Sequence, residues 1–334
     1  GKNLTATSSK VNFVFNKETG LVTSYQVNGT EYFNDGFGIQ PNFWRAPNDN
    51  DYGNGEPKRL QIWKQSSKNF NVADADIVMD DNTAILTVNY LLAAGNLYIV
   101  TYKIYPSGVV KVNARFTSTD MQATETEVSE ATRMATFTPG NDEARKAAAK
   151  LNVPRIGVRF RLPAEMNKVE YFGRGPEENY IDRNAGTLIG LYKTTADKMY
   201  YNYVRPQENG HHTDTRWLSL SKKNGKGLTI MADSIIGFNA LRNSIEDFDS
   251  EEALPHPRQW NNFSPEEIAN HDEEAARNGL HHVNDITPRD FVEVCIDMKQ
   301  QGLAGYNSWG ARPEPAYTIP ANQEYNWGFT LIPN

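Results

Sequence analysis

The chain has 334 residues, of which 39% are hydrophobic and 11% aromatic, and its net charge is −7 at pH 7. This much apolar material suffices for one large core, and all-β units of roughly 200 to 250 residues commonly stay undivided, so we interpret residues 1–334 as a single domain. The acidic balance, without a local basic cluster, argues against nucleic acid as a partner.

The first residues and the longest apolar run indicate where such a chain resides. GKNLTATSSK lacks the apolar core of a signal peptide, and YLLAAGNLYIV (90–100) is far shorter than the roughly 20 residues of a membrane span. We therefore predict a soluble chain without a membrane partner, compatible with the cytoplasm or the periplasm. The chain opens on Gly1 rather than Met, and we expect it to be cut from a longer polypeptide.

Along the chain, strand patterns recur at short intervals. Most alternate apolar with polar residues, the period of a sheet with one solvated face, and turn sequences such as YPSG and SKKNGKG separate them. The predicted strands are VNFVF (11–15), LVTSYQV (21–27), DIVMD (76–80), AILTVNYLL (84–92), YIVTYKIYP (98–106), VVKVNARFT (109–117), IGVRFRL (156–162), KVEYF (168–172), LTIMA (228–232) and FVEVCIDM (291–298). The pattern predicts an antiparallel all-β fold.

Helix patterns are few, and we predict one or two short helices in loops. NDEARKAAAKL (141–151) has suitable Ala and Lys content, and SPEEIANH (264–271) begins with a capping box and Pro265. No strand alternates with a helix of ten or more residues, which a barrel of parallel strands would require. The acidic, proline-bearing segment 244–262 is interpreted as a long surface loop, anchored by Phe248 and Trp260.

The only cysteine, Cys295, lies in the strand pattern FVEVCIDM, which we interpret as half-buried. A small thiol there is typical of a packed residue rather than a nucleophile. One cysteine allows no disulfide within the chain.

The stretch FWRAPNDNDYG (43–53) raises the question of a cation site. In an EF-hand-type loop beginning at Asn48 or Asp49, the twelfth position is Arg59 or Leu60, so the bidentate glutamate is missing. Asn and Asp also favour turns through hydrogen bonds to the local backbone. We therefore predict a turn and no metal site.

The histidines form two adjacent pairs, His211–His212 and His281–His282. Neighbouring residues on a strand point to opposite faces, so neither pair chelates a metal by itself. One imidazole beside a carboxylate such as Glu208 is the arrangement that a sugar epimerase needs, which keeps that activity as an alternative.

Glycoside cleavage usually needs two carboxyl groups, one of them protonated, and GRGPEENY contains Glu177 and Glu178. A turn at Gly175–Pro176 followed by solvated charges is the interpretation that we favour for this segment.

The most informative aromatic residue is Trp309, in GYNSWGARPEP (305–315). Glycines and prolines place it on a loop, whereas a core tryptophan is expected on a strand face. An indole suits a pyranose, because the apolar C–H face of the sugar stacks on the ring. Asn307 and Ser308 are positioned to add hydrogen bonds. A tryptophan on a loop is also typical of a plug over the core.

Four stretches together resemble, in this order, the signatures of the C-terminal "small chain" domain of family 2 β-galactosidases. They are FWRAPNDNDYGNG (43–55), FGRGPEENYIDR (172–183), YVRPQENGHHTDTRWL (203–218) and NSWGARPEPAY (307–317). Agreement extends to NFVFNKETGLVTSYQVNG (12–29) and RDFVEVCIDMKQQGLAG (289–305), so the resemblance covers almost the whole chain.

The resemblance implies an antiparallel β-supersandwich of the galactose mutarotase-like type. It also implies a retaining enzyme for terminal β-D-galactosides, in which the catalytic glutamates lie on an upstream barrel and no catalytic residue lies in this chain. Partners would be the galactoside and the upstream barrel and β-sandwich domains, in an enzyme that can be oligomeric. Family enzymes commonly use divalent and monovalent cations at the barrel, and no cofactor is expected in this domain.

Residue by residue, the resemblance assigns Trp309 to a loop that faces the bound sugar on its leaving-group side. Tyr306 and Asn307 stand where better-known members carry acidic residues, so the contacts of those acids do not transfer. For the other motifs the prediction is structural. It covers Trp44, Arg45, Asp49, Asp51, Tyr180 and Arg183, with Arg45 pairing to Asp49 or Asp51. A sugar-binding module without an attached enzyme is a further alternative.

Overall fold

The computed structural model describes residues 1–92, 95–117, 152–249 and 282–334. In these ranges the chain forms mostly β-strands. They are β1 (Asn3–Thr7), β2 (Val11–Asn16), β3 (Leu21–Val27), β4 (Thr30–Glu31), β5 (Gln40–Asn42), β6 (Asn71–Asp80), β7 (Thr83–Leu91), β8 (Leu97–Ile104), β9 (Val110–Thr117), β10 (Arg155–Pro163), β11 (Lys168–Gly175), β12 (Leu188–Thr195), β13 (His212–Ser221), β14 (Gly227–Leu241), β15 (Phe291–Gln300) and β16 (Tyr325–Pro333).

The strands form two sheets. The small sheet has the order β1-β2-β3-β4, and the large sheet follows β12-β11-β13-β14-β16-β9-β8-β7-β6, with β15, β10 and β5 branching from β14. All strand pairs between the described residues are antiparallel. The predicted antiparallel all-β fold is confirmed.

Part of the core lies between the small sheet and the large one, and another part lies under the helix at Gln61–Lys68, where Trp63 packs on Phe43 and Phe116. Strands β7, β8 and β9 bury alternate residues, as their alternating sequences predict. Phe13 of the small sheet packs against Tyr102 of the large one with ring centroids 5.7 Å apart, and the Tyr25 hydroxyl donates to the Gly108 carbonyl at 2.5 Å. Aromatic packing and this bond tie the two sheets together.

Strand β15 differs from the prediction of a half-buried strand. Six consecutive residues, from 292 to 297, are buried, and β15 pairs with β10 on one edge and with β14 on the other. Its burial is therefore that of a central strand covered on both faces. Cys295 is buried as predicted, with its Sγ 3.6 Å from the Asn42 amide nitrogen.

More short helices are present than the sequence predicted. They are α1 (Asp49–Gly53), α2 (Glu56–Arg59), α3 (Gln61–Lys68), α4 (Ala196–Met199) and α5 (Ile245–Phe248), with 3-10 turns at Asn34–Gly36, Val283–Asp285 and Pro315–Tyr317. The helices predicted at 141–151 and 264–271 lie outside the described residues. None of the described helices combines the length and the apolar character that a membrane crossing demands.

The described part of segment 244–262 is packed rather than exposed. Phe248 in α5 is buried, and the Asp249 carboxylate accepts a 2.7 Å hydrogen bond from the Trp44 indole. The surface-loop prediction is therefore wrong for residues 244–249, where the capped helix α5 joins the core. Residues 250–262, including Trp260, lie outside the described residues.

Candidate functional site

Trp309 lies on the connection between β15 and β16, and we call residues 301–311 the Trp309 loop. As predicted, the residue is on a loop and not on a strand. Its side chain is 75% exposed, and Tyr306 on the same loop is 66% exposed. Two large aromatic side chains exposed on one loop are typical of a contact surface.

Helix α1 holds this loop through side-chain bonds to its backbone. The Asn50 amide donates to the carbonyls of Ala304 and Asn307, both at 2.8 Å, and accepts from the Gly310 N–H at 3.2 Å. Asn54 donates to the Ala311 carbonyl at 3.0 Å. The loop is thus bonded to the helix on both sides of Trp309.

The backbones of the helix and the loop also touch directly. A Cβ on Gly53 would lie 2.7 Å from the Gly310 Cα, and Gly310 has a φ of +87°. Both features require glycine, one by close approach and the other by a left-handed conformation. The glycine pair therefore fixes how closely the Trp309 loop packs on α1.

Helix α1 is itself fixed by a capping box and a buried ion pair. Asn48 and Asp51 exchange side-chain and backbone hydrogen bonds at 2.9 and 3.0 Å, which satisfies the first turn. The Asn/Asp run therefore caps a helix, rather than forming only the predicted turn. The capping chemistry is the same side-chain-to-backbone bonding that was expected of these residues.

Arg45 joins α1 to the start of the Trp309 loop. Its guanidinium pairs with Asp51 at 2.9 Å and donates to the carbonyls of Gln301 and Gly302 at 2.8 and 3.1 Å. Burial opposes the charge, but the carboxylates of Asp51 and Glu56 outweigh it and raise the pKa of Arg45. Of the two predicted partners, the structure selects Asp51.

Asp49 lies on the other side of α1, with its side chain 63% exposed. Arg205, from the third motif, reaches its carboxylate at 3.4 Å and stacks over the Tyr52 ring at 3.7 Å. The 203–218 stretch therefore packs against the same helix that supports the Trp309 loop.

The second motif supports the loop from a further direction. Asp182 accepts hydrogen bonds from the backbone N–H groups of Leu303 and Ala304 at 2.9 and 2.8 Å. A tight turn presents this carboxylate, because Tyr180 and Arg183 bond each other through their backbones. Tyr180 is buried and the Arg183 guanidinium lies over its ring, 5.5 Å from the centroid.

The two glutamates of this motif have different environments. Glu177 is exposed, as expected of a solvated charge, whereas the Glu178 side chain is only 7% exposed. Glu178 pairs with Arg183 at 2.8 Å and accepts from the Gly210 N–H at 2.6 Å. The prediction of a solvated charge is wrong for Glu178, which links two of the motifs.

Asn307 and Ser308 are exposed beside Trp309. The Asn307 side-chain oxygen accepts a 2.9 Å bond from the Trp309 N–H, so this amide orders the loop locally. Their predicted contacts with a sugar stay a prediction. Sequence reasoning missed Asn50 and Asp182 as loop supports, although both lie inside motifs that it had singled out.

His211 and Glu208 meet in one buried cluster through Asn239. The Asn239 amide bonds His211 Nδ1 at 2.9 Å and Glu208 at 2.9 Å, and Arg155 lies 3.2 Å from the same carboxylate. Burial, reinforced by the charge of Arg155, lowers the pKa of His211 to about 3.

The space beside this cluster is small. The cavity that Glu208 and Asn239 line holds about 20 Å³, which is room for a water molecule and not for a sugar ring. An imidazole with a pKa of about 3 is a weak general base, and its enclosure keeps a sugar ring away, so this cluster does not match the requirements of an epimerase. Within the described residues, no group of three or more His, Cys, Asp or Glu side chains has a metal-binding arrangement.

The fold and the loop define an antiparallel β domain in which α1, part of the first motif, contacts the third motif and the Trp309 loop, while Asp182 of the second motif also bonds that loop. A family model described as the beta galactosidase small chain matches residues 7–331. The chain therefore belongs to the beta galactosidase small chain family.

Relatives agree with this family assignment. A beta-galactosidase of Priestia megaterium is 29% identical over 99% of this chain, and one of Streptococcus thermophilus is 24% identical over 96%. A beta-galactosidase of an Arthrobacter species is 39% identical over 35% of this chain. The chain spans only 26% of the length of the first two relatives and 12% of the third.

Solved structures that are similar include a galactose mutarotase related enzyme and a galactose 1-epimerase, both from Lactobacillus acidophilus. The first has a TM-score of 0.47 and 9% identity, and the match covers 99% of this chain and 97% of that chain. The second has a TM-score of 0.45 and 7% identity, with coverages of 99% and 94%.

Proposed function

We propose that this chain is the C-terminal domain of a retaining β-galactosidase, in which it contributes scaffold and one aromatic wall of the active site. The family supports this proposal, as do the relatives, which are named beta-galactosidases and are about four times as long as the region they share with this chain. The hydrolytic carboxylates are proposed to lie in the remainder of that longer polypeptide.

The observation that carries the proposal is the exposed indole of Trp309 on a loop bonded to its support on both sides. A tryptophan held in this way stacks on the C–H face of a sugar with little further loss of side-chain entropy. Its proposed contact is with the leaving-group side of the galactoside.

The acidic residues around this loop also support the proposal that the hydrolytic carboxylates lie outside this chain. Asp51, Glu56 and Asp182 bind Arg45, Gln301 and the loop backbone respectively, so their carboxyl groups already hold the fold together. Retaining hydrolysis needs a pair of carboxyl groups about 5 to 5.5 Å apart that flank the sugar. We therefore assign the acids of this region to the support of the loop.

The experiment is the kinetics of Trp309→Ala in the longer enzyme with a chromogenic β-galactoside. We expect KM to rise about 5-fold, since one stacked ring contributes on the order of 1 kcal/mol beyond its buried area, and kcat to fall through poorer leaving-group positioning. Trp309→Phe is the matched variant. Its smaller ring should retain part of the stacking, so its KM should lie between those of the unsubstituted enzyme and Trp309→Ala. A folded Trp309→Ala enzyme with unchanged KM and kcat would refute the proposal.

A second candidate, favoured by the same exposed ring, is a module that binds galactosides without an attached enzyme. A single stacked face supports an affinity of only about millimolar. Calorimetry with lactose tests this candidate: it predicts weak binding that Trp309→Ala abolishes, and micromolar binding that survives Trp309→Ala would exclude Trp309 as its basis.

A further inference from the structure

We infer that Asn50 is a positioning residue for the reaction, acting through Trp309. The inference rests on the proposed function, because it assigns to Asn50 the placement of the indole against the sugar. Asn50 is 7% exposed and lies in α1, some 260 residues away along the chain from the glycine that it binds.

The side-chain amide of Asn50 uses its nitrogen as a donor and its oxygen as an acceptor, and all three of its hydrogen bonds within the described residues go to the Trp309 loop. The nitrogen donates to Ala304 and Asn307, which precede Trp309, and the oxygen accepts from Gly310, which follows it. The hydrogen bond to the Ala304 carbonyl is buried and those with the Asn307 carbonyl and the Gly310 N–H are partly buried, so a side chain that both donates and accepts serves all three groups. The primary amide of asparagine meets this requirement at this reach.

The support beneath Asn50 does not depend on Asn50 itself. Asp51 is paired with buried Arg45, and Asn48 caps the helix, so α1 keeps its own fixings when the Asn50 amide is removed. Loss of Asn50 therefore releases the middle of the Trp309 loop from a helix that remains in place. The expected consequence is an indole that samples more orientations and stacks less often on the substrate.

The test is a double-mutant cycle on KM in the longer enzyme, with Asn50→Ala, Trp309→Ala and the double variant. We expect Asn50→Ala to raise KM about 3-fold, less than the about 5-fold of Trp309→Ala, because the released indole still stacks part of the time. The double variant should match Trp309→Ala alone, since Asn50 acts only through that ring. Asn50→Asp keeps the shape but loses both donors, so it should resemble Asn50→Ala.

The matched control is Asn243→Ala. Asn243 is 5% exposed and donates to the Thr287 carbonyl at 2.8 Å, so it is a buried asparagine that holds a different loop. Its replacement should lower stability and leave KM unchanged. The inference would be overturned if the increases in KM caused by Asn50→Ala and Trp309→Ala multiplied in the double variant. A folded Asn50→Ala enzyme with unchanged KM would also overturn it.

A spectroscopic readout separates this inference from the proposed function. If Trp309→Ala left KM and kcat unchanged, the proposed function would fail. The order of the Trp309 loop could still be measured by the fluorescence anisotropy of Trp309. The contribution of this indole is obtained by subtracting the signal of Trp309→Phe. Asn50→Ala should lower that anisotropy. An unchanged anisotropy would show that Asn50 does not hold the ring.

Discussion

Trp44 and Trp309 illustrate how the surroundings of a residue decide its role. Trp44 is 3% exposed and donates its indole N–H to Asp249, whereas Trp309 is 75% exposed. The same side chain is part of the core in one motif and part of the surface in another. The sequence placed Trp309 on a loop because Gly305, Gly310 and two prolines surround it, and the resemblance to a family then favoured a sugar contact over a plug on the core.

The first prediction compares the stability of these two tryptophans. Trp44→Ala should cost about 3 to 5 kcal/mol of unfolding free energy, through a cavity and the loss of the indole hydrogen bond to Asp249, which keeps its ion pair with Lys64. Trp309→Ala should change it by no more than about 0.5 kcal/mol, as is usual for an exposed side chain. Urea unfolding of the two variants measures both values, and a large loss for Trp309→Ala would mean that this ring is part of the core.

The second prediction concerns pH and His211. Burial lowers the pKa of His211 from 6.5 to about 3, so between these values the unfolded chain binds a proton that the folded chain does not. The free energy of unfolding is therefore unaffected by the titration of His211 above pH 6.5. As the pH falls towards 3, it decreases by up to about 1.4 kcal/mol per pH unit, because the unfolded chain gains a proton at this residue.

The test is the slope of unfolding free energy against pH for His211→Gln. Burial also lowers the pKa of His212, so the variant should retain part of the slope and lose the share of His211. The slope is compared and not the absolute stability, because the substitution also changes packing against Tyr180. An unaltered slope between pH 4 and 6 would contradict the assignment.

At the scale of elements, α1 organises the candidate site. It carries the bonds to the Trp309 loop on one side and the contact with Arg205 on the other. The glycine pair Gly53 and Gly310 sets the distance between helix and loop. The helix is only five residues long, so its position depends on the capping box and on Arg45 rather than on helix propensity.

The third prediction tests this glycine contact against a matched glycine. Gly310 and Gly225 both have a φ of +87°, but a Cβ on Gly310 would lie 2.6 Å from the Gly53 carbonyl carbon, whereas nothing lies within 4 Å at Gly225. Gly225→Ala should cost about 1 kcal/mol for its backbone conformation, and Gly310→Ala at least about 1 kcal/mol more. Thermal or urea unfolding gives both numbers, and equal costs would remove the steric argument.

Strands were predictable from sequence where one face is buried. β7, β8 and β9 show this, since each alternates core and surface residues along its length. The edge strand β12 was missed, because all eight of its residues are exposed or half-buried and its sequence, LIGLYKTT, lacks a regular alternation of apolar and polar residues. β13 was missed as well, since it begins with the polar run HTDTR.

The assembly of the site was not predictable from local patterns. Its deciding contacts join residues about 250 to 260 positions apart, such as Arg45 with Gln301 and Asn50 with Gly310. Nothing in either segment encodes the other, so the sequence indicated four motifs without their common centre. The resemblance to a family pointed to Trp309, whereas the residues that hold its loop, such as Asn50 and Asp182, became evident only in the folded structure.

At the scale of the whole molecule, the described domain is a scaffold with one specialised edge. Two packed sheets contribute to the core, and buried Arg–acid pairs hold elements together, Arg45 with Asp51 at α1 and Arg155 with Glu208 beside Asn239. The chain spans 26% of the length of beta-galactosidase relatives, in line with a domain whose proposed work is completed by other parts of a longer enzyme.

The most direct test of the proposed function compares hydrolysis of a chromogenic β-galactoside by the purified 334-residue chain and by the longer enzyme. The account predicts no turnover above background for the chain alone, and turnover by the longer enzyme that falls when Trp309 is replaced by Ala. Turnover by the chain alone that Glu178→Gln abolishes would contradict it, because the hydrolytic carboxylate would then lie in this domain.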